Sequence, residues 1–212
     1  MAGGICQSPR REQTVNPQAA KADCRRELRA RWQHLSDGQR AAGAGLICRR
    51  VGEQDFWKQA QTVLLFAPLP DEVNIWPLLE TALAEGKVLT LPRFDPIKKF
   101  YTAAQVAELQ RDLVAGIYGI REPAAHCSEI PLLDIYLALV PGVGFDAHGN
   151  RLGRGRGFYD RLLADFGGIK CGLALDEQIA EAMPTEEQDV RMDVVLTPTQ
   201  RIGGLLLGLK NA

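Results

Sequence analysis

Residues 141–161 read PGVGFDAHGNRLGRGRGFYDR and combine glycines with arginines in a spacing that suits an anion. Glycine lets backbone N–H groups crowd around an anion, and arginine neutralises its charge. Tyr159, Asp160 and Arg161 open a predicted helix, whose N-terminus adds partial positive charge. The residues that alternate in this loop are Arg151, Gly153, Arg154, Gly155, Arg156 and Gly157. This stretch therefore predicts a polyphosphate-binding loop.

The spacing excludes two familiar phosphate motifs. The chain contains no G-x-x-x-x-G-K-[ST], and its G-x-G-x-G lacks the last step of the dinucleotide fingerprint G-x-G-x-x-G. On pattern alone, a flexible surface loop with solvated arginines remains an alternative. Asp160 favours the phosphate site, because Mg²⁺ bound to phosphates usually takes only one or two protein carboxylates.

The same stretch resembles the signature of the 5-formyltetrahydrofolate cyclo-ligases, also called methenyltetrahydrofolate synthetases. Further segments resemble that family in the expected order: KADCRRELRARWQHLS with Lys21 and Arg25, PDEVN at 70–74, GKVLTLPR at 86–93, GIREP at 119–123, and LALDEQIAEAMPTEEQD before residue 190. One such segment is weak evidence, whereas their common order is specific.

The resemblance implies ATP-driven closure of 5-formyltetrahydrofolate to 5,10-methenyltetrahydrofolate, with release of ADP and phosphate. The γ-phosphoryl group would pass to the formyl oxygen, N10 of the folate would attack the resulting imidate phosphate, and phosphate would leave. Phosphoryl transfer depends mainly on positioning and charge stabilisation, so no protein nucleophile is needed. The implied helpers are Mg²⁺, basic side chains and backbone amides, with ATP as the co-substrate.

The resemblance also implies roles for individual residues. The positions that match ATP contacts are Lys21, Arg25, Arg151, Leu152, Gly153, Arg154, Gly155, Arg156, Gly157, Phe158 and Tyr159. Those that match folate contacts are Ala67, Glu72, Tyr118, Arg154 and Phe158. Arg154 and Asp160 are the expected catalytic residues, and Asp160 and Asp189 the expected Mg²⁺ ligands. Without the resemblance, each has an ordinary alternative as a solvated charge, a helix cap or a core residue.

Some positions depart from the common family pattern: Lys98 for methionine, Arg156 for glycine, Phe158 for tyrosine and Gln188 for histidine. Arg154 is expected to contact phosphate, and Arg156 to lie nearer the loop rim. Two alternatives stay open: an enzyme that activates a different amide or carboxyl group, and a nucleotide- or folate-binding sensor. The two aspartates argue against a pure binder, since they add negative charge near phosphate unless Mg²⁺ is bound.

Composition predicts a cytoplasmic enzyme that acts on small molecules. The 212 residues carry a formal net charge of −1, which gives no reason to expect nucleic acid or membrane partners, and we expect a monomer. The five cysteines form no C-x-x-C pair, which indicates reduced thiols rather than disulfides or structural zinc. His126 and Cys127 are adjacent but supply too few ligands in register for a metal site. Residues 1–18 are predicted to be a disordered lead-in and residues 19–212 a single domain.

The periodicity predicts helices at 19–35, 39–53, 73–84, 103–112, 158–166 and 178–183, and strands at 63–67, 88–91, 135–140, 171–175 and 194–197. Alternating strands and helices indicate an α/β fold with a mainly parallel sheet. The resemblance implies three α/β/α layers, akin to the sugar-phosphate isomerase and CoA-transferase superfamily. We expect the segments after the strands, 68–72, 92–94, 142–157 and 176–178, to meet in one crevice, because ligands bind at strand carboxyl ends.

Overall fold

The computed structural model describes residues 16–97 and 99–204, except for the side chain of Tyr118. Its helices are α1 Pro17–Gln33, α2 Asp37–Glu53, α3 Asp55–Gln59, α4 Trp76–Ala84, α5 Leu109–Asp112 and α6 Phe158–Leu162. Its strands are β1 Thr62–Leu64, β2 Val88–Asp95, β3 Phe100–Gln105, β4 Leu113–Ala115, β5 Arg121–Pro123, β6 Leu137–Pro141, β7 Gly144–Asp146, β8 Arg151–Leu152, β9 Ile169–Leu173, β10 Ile179–Ala180, β11 Val194–Leu196 and β12 Arg201–Ile202. The predicted lead-in 1–18 lies outside the described residues except for 16–18, which cap and begin α1.

The first two helices begin at local sequence signals. The side chain of Asn16 accepts a hydrogen bond from the amide of Gln18 at the start of α1, where proline occupies the first turn. At α2, the hydroxyl of Ser36 accepts from the amide of Gln39, and the Gln39 side chain accepts from the Ser36 amide. This capping box confirms the break and cap predicted at residues 36–38.

A seven-stranded sheet in the order β12-β11-β9-β6-β1-β2-β3 forms the centre of the fold. Its five inner strands are parallel, and antiparallel strands complete both edges. Alternate strand residues point to opposite faces, as in β6, where Leu137 and Leu139 join one core cluster and Ala138 and Val140 the other. Helices α2 to α4 cover the first face, and α6 packs on the second. The predicted α/β class with a mainly parallel sheet is confirmed.

The strand order reverses beside β1. The chain proceeds from β1 outward to β2 and β3, then returns to place β6 against the other side of β1. The segments that leave the carboxyl ends of β1 and β6 therefore diverge and open a crevice between them, the usual ligand position in such sheets. Within the described part of the chain, no helix has the length and apolar character that crossing a membrane requires.

Two predicted helices were wrong. Residues 103–112 form the end of edge strand β3 and the short helix α5, because residues 100–105 pair antiparallel with β2. In the range 178–183, Gln178 ends a 3₁₀ turn that starts at Asp176, and the next two residues form β10, which pairs with β7. Strand β11 is not the last strand either, since β12 follows it. Strand β10 pairs with β7, far away in the sequence, whereas β3 and β12 each pair with the strand just before them. The periodicity of a single segment reports neither kind of pairing.

Pro92 does not end β2, although a stop was predicted there. The amide of Val88 and the carbonyl of Thr90 form hydrogen bonds on the side of β2 that faces β1. The backbone nitrogen of Pro92, two residues further on, faces the same side. Strand β1 has already ended at Leu64, so no ladder bond is lost to the missing N–H.

Candidate active site

Two cavities lie on either side of the segment that follows β8. One, of about 360 Å³, has apolar walls that include Ala67, Pro92 and Phe158. The other, of about 610 Å³, is lined by charged groups that include Lys21 and Asp189. Both cavities share the residues Arg151, Gly153, Arg156, Gly157 and Asp160. Ligands in the two cavities would therefore lie on either side of the same few residues.

Aromatic rings form one side of the apolar cavity. The ring of Phe158 lies edge-on to that of Tyr101, with centroids 5.1 Å apart, and Phe94 packs 5.3 Å from Tyr101. The Tyr101 hydroxyl donates to the buried carboxylate of Glu122 at 3.3 Å, which also accepts from the amide of Phe94. The cavity thus offers apolar and aromatic surface to a conjugated ring system.

Two neighbouring acids, Asp71 and Glu72, hold Arg154 beside the apolar cavity, which Glu72 and Arg154 line. The Glu72 side chain is 11% exposed, and its Oε2 accepts from the amide of Leu69 at 3.0 Å. Arg154 donates from Nε to Oε1 of Glu72 at 3.2 Å and from an Nη atom to Asp71 at 2.5 Å. Burial raises the pKa of Glu72, whereas the hydrogen bond and charge of Arg154 overcome the burial of Asp71 and lower its pKa.

Arg151 occupies the wall between the two cavities. Its side chain is 4% exposed, donates to Oδ1 of Asp160 at 2.8 Å, and lies 5.5 Å from the ring centroid of Tyr159. Its Nη1 reaches the carbonyl of Pro141 only at 3.4 Å, and its buried Nε has no hydrogen-bond partner among the described residues. Buried guanidinium groups usually satisfy all their donors, so Arg151 retains capacity for an anionic ligand.

The backbone of the loop requires glycine at two positions. Gly155 has φ +96° and Gly157 has φ +63°, both in the left-handed region that other residues rarely adopt. Arg25 of α1 holds the loop by donating from Nε to the carbonyl of Gly153 at 2.8 Å, and its guanidinium lies beside Gly155. The loop therefore lies against a helix that carries basic side chains.

Lys21, on helix α1, is a buried residue of the polar cavity wall. Its Nζ donates to Oδ2 of Asp189 at 2.6 Å and to Oε2 of Glu186 at 2.7 Å. Burial opposes the charge, but the hydrogen bonds to the two carboxylates outweigh it and raise the pKa of Lys21. Lys21 therefore stays charged and fixed at the edge of the cavity.

Asp160 and Asp189 supply oxygen atoms of the kind that Mg²⁺ prefers, and both line the polar cavity. Among the described residues, hydrogen bonds reach only Oδ1 of Asp160 and only Oδ2 of Asp189. One oxygen of each carboxylate is thus uncommitted, and the donor set fits a hard divalent cation.

The remaining predicted site residues divide between the cavities. The polar cavity is lined by Arg25, Leu152 and Gly155, and the apolar cavity by Ala67, Glu72, Arg154, Phe158 and Tyr159. Arg154 thus faces the apolar cavity, whereas Arg156, expected at the rim, faces both; their phosphate contacts remain predictions. The side chain of Tyr118 and all of Lys98 lie outside the described residues.

Sequence reasoning missed Asp71 and Glu186, which pair with Arg154 and Lys21. Each is an acid next to or three residues from a predicted site residue, and that proximity was the available signal. It also missed Asp146, which is fully buried in the signature and accepts hydrogen bonds from the amides of His148, Asn150 and Met183. Asp146 thereby holds the turn that leads into Arg151.

Known proteins share this sequence and fold. The sequence model of the 5-formyltetrahydrofolate cyclo-ligase family matches residues 17–198. A 5-formyltetrahydrofolate cyclo-ligase from Mus musculus is 28% identical over 199 residues, which cover 86% of this chain and 95% of that protein. One from Escherichia coli is 34% identical over 145 residues, 66% of this chain and 80% of its own.

A solved structure agrees with these sequence matches. The NMR structure of the 5,10-methenyltetrahydrofolate synthetase of Aquifex aeolicus superposes with a TM-score of 0.78 at 30% identity, covering 86% of this chain and 92% of that one. The family match spans both strands whose carboxyl ends open the crevice, together with Lys21, Glu72, the glycine-arginine loop and Asp189. This chain belongs to the 5-formyltetrahydrofolate cyclo-ligase family.

Proposed function

We propose that this chain catalyses the ATP- and Mg²⁺-dependent cyclisation of 5-formyltetrahydrofolate to 5,10-methenyltetrahydrofolate, with release of ADP and phosphate. The observation that carries the proposal is that the apolar cavity and the polar cavity share one wall. Direct phosphoryl transfer between two substrates needs the donor and acceptor oxygens to be held in line at close range. Two cavities that share lining residues support such a transfer without a covalent enzyme intermediate.

The apolar cavity suits the pterin of the folate. Its aromatic walls offer stacking faces, and the carboxylate of Glu72 can accept two hydrogen bonds from an amino-pyrimidine edge. In the protein alone these oxygens bond to Leu69 and Arg154. Each carboxylate oxygen can accept a second hydrogen bond, so the folate would bind Glu72 with Arg154 still in place beside it.

The polar cavity suits the triphosphate of ATP. Lys21, Arg25 and Arg156 line it, and the left-handed glycines keep side chains away from the path of the phosphates. Arg151 lies in the shared wall, so its positive charge would stand close to the phosphoryl group, where charge develops during transfer. Asp160 and Asp189 would hold Mg²⁺, which neutralises phosphate charge when bound.

The proposed reaction proceeds between the two substrates. The formyl oxygen of the folate attacks the γ-phosphorus and the bond to the ADP oxygen breaks, so that an amide oxygen becomes a phosphate leaving group. N10 then attacks the activated formyl carbon and gives up its proton to solvent, the C–O bond breaks, and phosphate departs with the former formyl oxygen. The task of the protein is to position both substrates and stabilise charge.

The test is a direct assay of the purified protein with 5-formyltetrahydrofolate, ATP and Mg²⁺. We expect the near-ultraviolet absorbance of the methenyl product to rise, and ADP to accumulate in equal amount. Omission of ATP or of the divalent cation should abolish the reaction. A folded sample that binds ATP but turns over neither the monoglutamate nor the polyglutamate substrate would refute the proposal and favour a different amide or carboxyl substrate.

A further inference from the structure

Three side chains of metal-binding type meet outside both cavities. One oxygen of Asp112, Nε2 of His126 and Sγ of Cys127 all lie within 4.8 Å of one another. The Asp112 carboxylate belongs to α5, and the other two side chains follow β5, so hairpin β4–β5 joins the two segments. The sequence shows only the adjacent histidine and cysteine, and the fold supplies the third ligand.

The surroundings fix Asp112 in a pose that leaves one oxygen exchangeable. Its Oδ2 accepts from the amides of Ala107 and Glu108 at 2.8 and 2.9 Å. Its Oδ1 accepts from Nε of Arg111 at 2.7 Å and from Nε2 of His126 at 3.1 Å, and Nη2 of Arg111 also donates to Oδ2 at 3.1 Å. The Arg111 side chain is 59% exposed, so a cation that enters at Oδ1 can displace its guanidinium into solvent. Outer contacts that orient a ligating carboxylate are typical of metal sites.

The donor set selects the class of metal. Thiolate, imidazole and carboxylate together suit Zn²⁺, whereas Mg²⁺ and Ca²⁺ prefer oxygen atoms alone. We propose that Asp112, His126 and Cys127 bind a zinc ion, with water as the fourth ligand. The Cys127 thiol loses its proton to solvent as its sulfur bonds to the metal.

The geometry permits this site after a small closure. Bond lengths of about 2.0 to 2.3 Å place the ligand atoms of a tetrahedral zinc about 3.3 to 3.8 Å apart, so the group must close by about 1 Å. His126 can supply the movement and an entry path, because its side chain is 57% exposed. Cys127 and Asp112 are buried and already lie against each other, with Sγ 3.7 Å from the carbonyl of Asp112.

The zinc ion acts as a clamp on the segment beside the apolar cavity. Arg121 begins β5 and lines that cavity, and the turn carrying the proposed ligands follows β5 directly. Arg93 ties the same turn to β2 by donating to the carbonyls of Ala124 and Cys127. An ion that joins α5 to this turn would stabilise the folded state over the unfolded chain.

Cobalt(II) is the probe for this site, because a thiolate bound to it gives a near-ultraviolet charge-transfer band. The titration uses the metal-free, untagged full chain with a thiol-free reductant and excess Mg²⁺ to occupy oxygen-only sites. We expect one equivalent of Co²⁺ to produce the band, Zn²⁺ to abolish it by displacement, and saturating Zn²⁺ to raise Tm by about 5 °C.

Variants assign the ligands. Cys127→Ser should remove the band and His126→Gln should weaken Co²⁺ binding at least tenfold, while the matched controls Cys24→Ser and His34→Gln should bind normally. Arg111→Ala leaves the buried ligands intact and should tighten binding severalfold by removing the competing cation. Absence of the band in the unaltered protein, its persistence in Cys127→Ser, or unchanged affinity in Arg111→Ala would each overturn the proposal.

Discussion

Nε of Arg154 lies 3.2 Å from Oε1 of Glu72, although 82 residues separate them in the chain. This contact joins the loop that follows β1 to the glycine-arginine loop that follows β8. The family resemblance had assigned Glu72 to folate contacts and not to ATP contacts. The geometry makes Glu72 a partner of both loops, so its replacement should change the affinity for folate and also the affinity for ATP.

We expect Glu72→Gln to raise the KM for folate by roughly tenfold to a hundredfold, the equivalent of about 1.5–3 kcal/mol for a lost charged hydrogen bond. ATP affinity should change by a smaller factor, because Arg154 loses its ionic partner. Paired titration with a folate ligand and an ATP analogue measures both. Glu177→Gln, at an exposed position outside the cavities, is the control. An unchanged folate affinity would mean that the pterin binds elsewhere.

The pH dependence of kcat/KM for folate should show the titration of Glu72. Burial raises the pKa of Glu72, so the carboxylate takes up a proton at a higher pH than a solvated glutamate does. If folate binds the ionised form, kcat/KM for folate should fall as the pH drops through that raised pKa. In Glu72→Gln this acidic limb should disappear. A limb that persists unchanged in the variant would assign the titration to another group.

Asp160→Asn should reduce turnover by at least a hundredfold, because the amide lacks the charge that holds Mg²⁺. The same change weakens the ionic bond to buried Arg151 and should lower the unfolding free energy by about 1–3 kcal/mol. Turnover at limiting Mg²⁺ and thermal unfolding measure the two effects. Asp165→Asn alters an exposed acid of the same region and should match the unaltered protein. Near-normal turnover would leave Asp160 as a helix-start residue only.

Arg154→Ala and Arg156→Ala should differ in the substrate they affect. Arg154 faces the apolar cavity and pairs with two acids, so its loss should raise the folate KM, with a total cost of about 1.5–3 kcal/mol in kcat/KM. Arg156 is exposed and faces both cavities, so its loss should cost about 1 kcal/mol or less. Steady-state kinetics with each substrate varied in turn separates the two, and equal losses would contradict this assignment.

Lys21→Met should weaken ATP binding and destabilise the fold by about 1–3 kcal/mol, since it leaves two carboxylates together without their cation. The pKa of Lys21 is raised in the folded state, so its contribution is complete below the ordinary lysine pKa of 10.5 and is lost as the pH rises through the raised value. Unfolding at neutral and strongly alkaline pH should show the difference between the two proteins narrowing in alkali. A constant difference would argue against the ionic role.

Local signals identified most of the elements that frame the site. The apolar run before Pro141 predicted strand β6, and Ser36 with Gln39 marked the start of α2, because strands and capping boxes depend on neighbouring residues. Edge strand β3 was misread as a helix, since its identity comes from pairing with β2 rather than from its own composition. The glycines at 155 and 157 adopt positive φ, which their residue type allows, whereas their expected contact with an anion stays a prediction.

The sequence by itself determined the family, the loop that carries the charge and the types of residue available for chemistry, because these reside in residue identity and order. Only the tertiary structure decided which charges meet. Arg154 pairs with Asp71 and Glu72, Lys21 with Asp189, and Asp112 approaches Cys127. Ionic and metal-binding geometry depends on distances of a few ångströms, and those distances arise from strand order and packing between segments far apart in the chain.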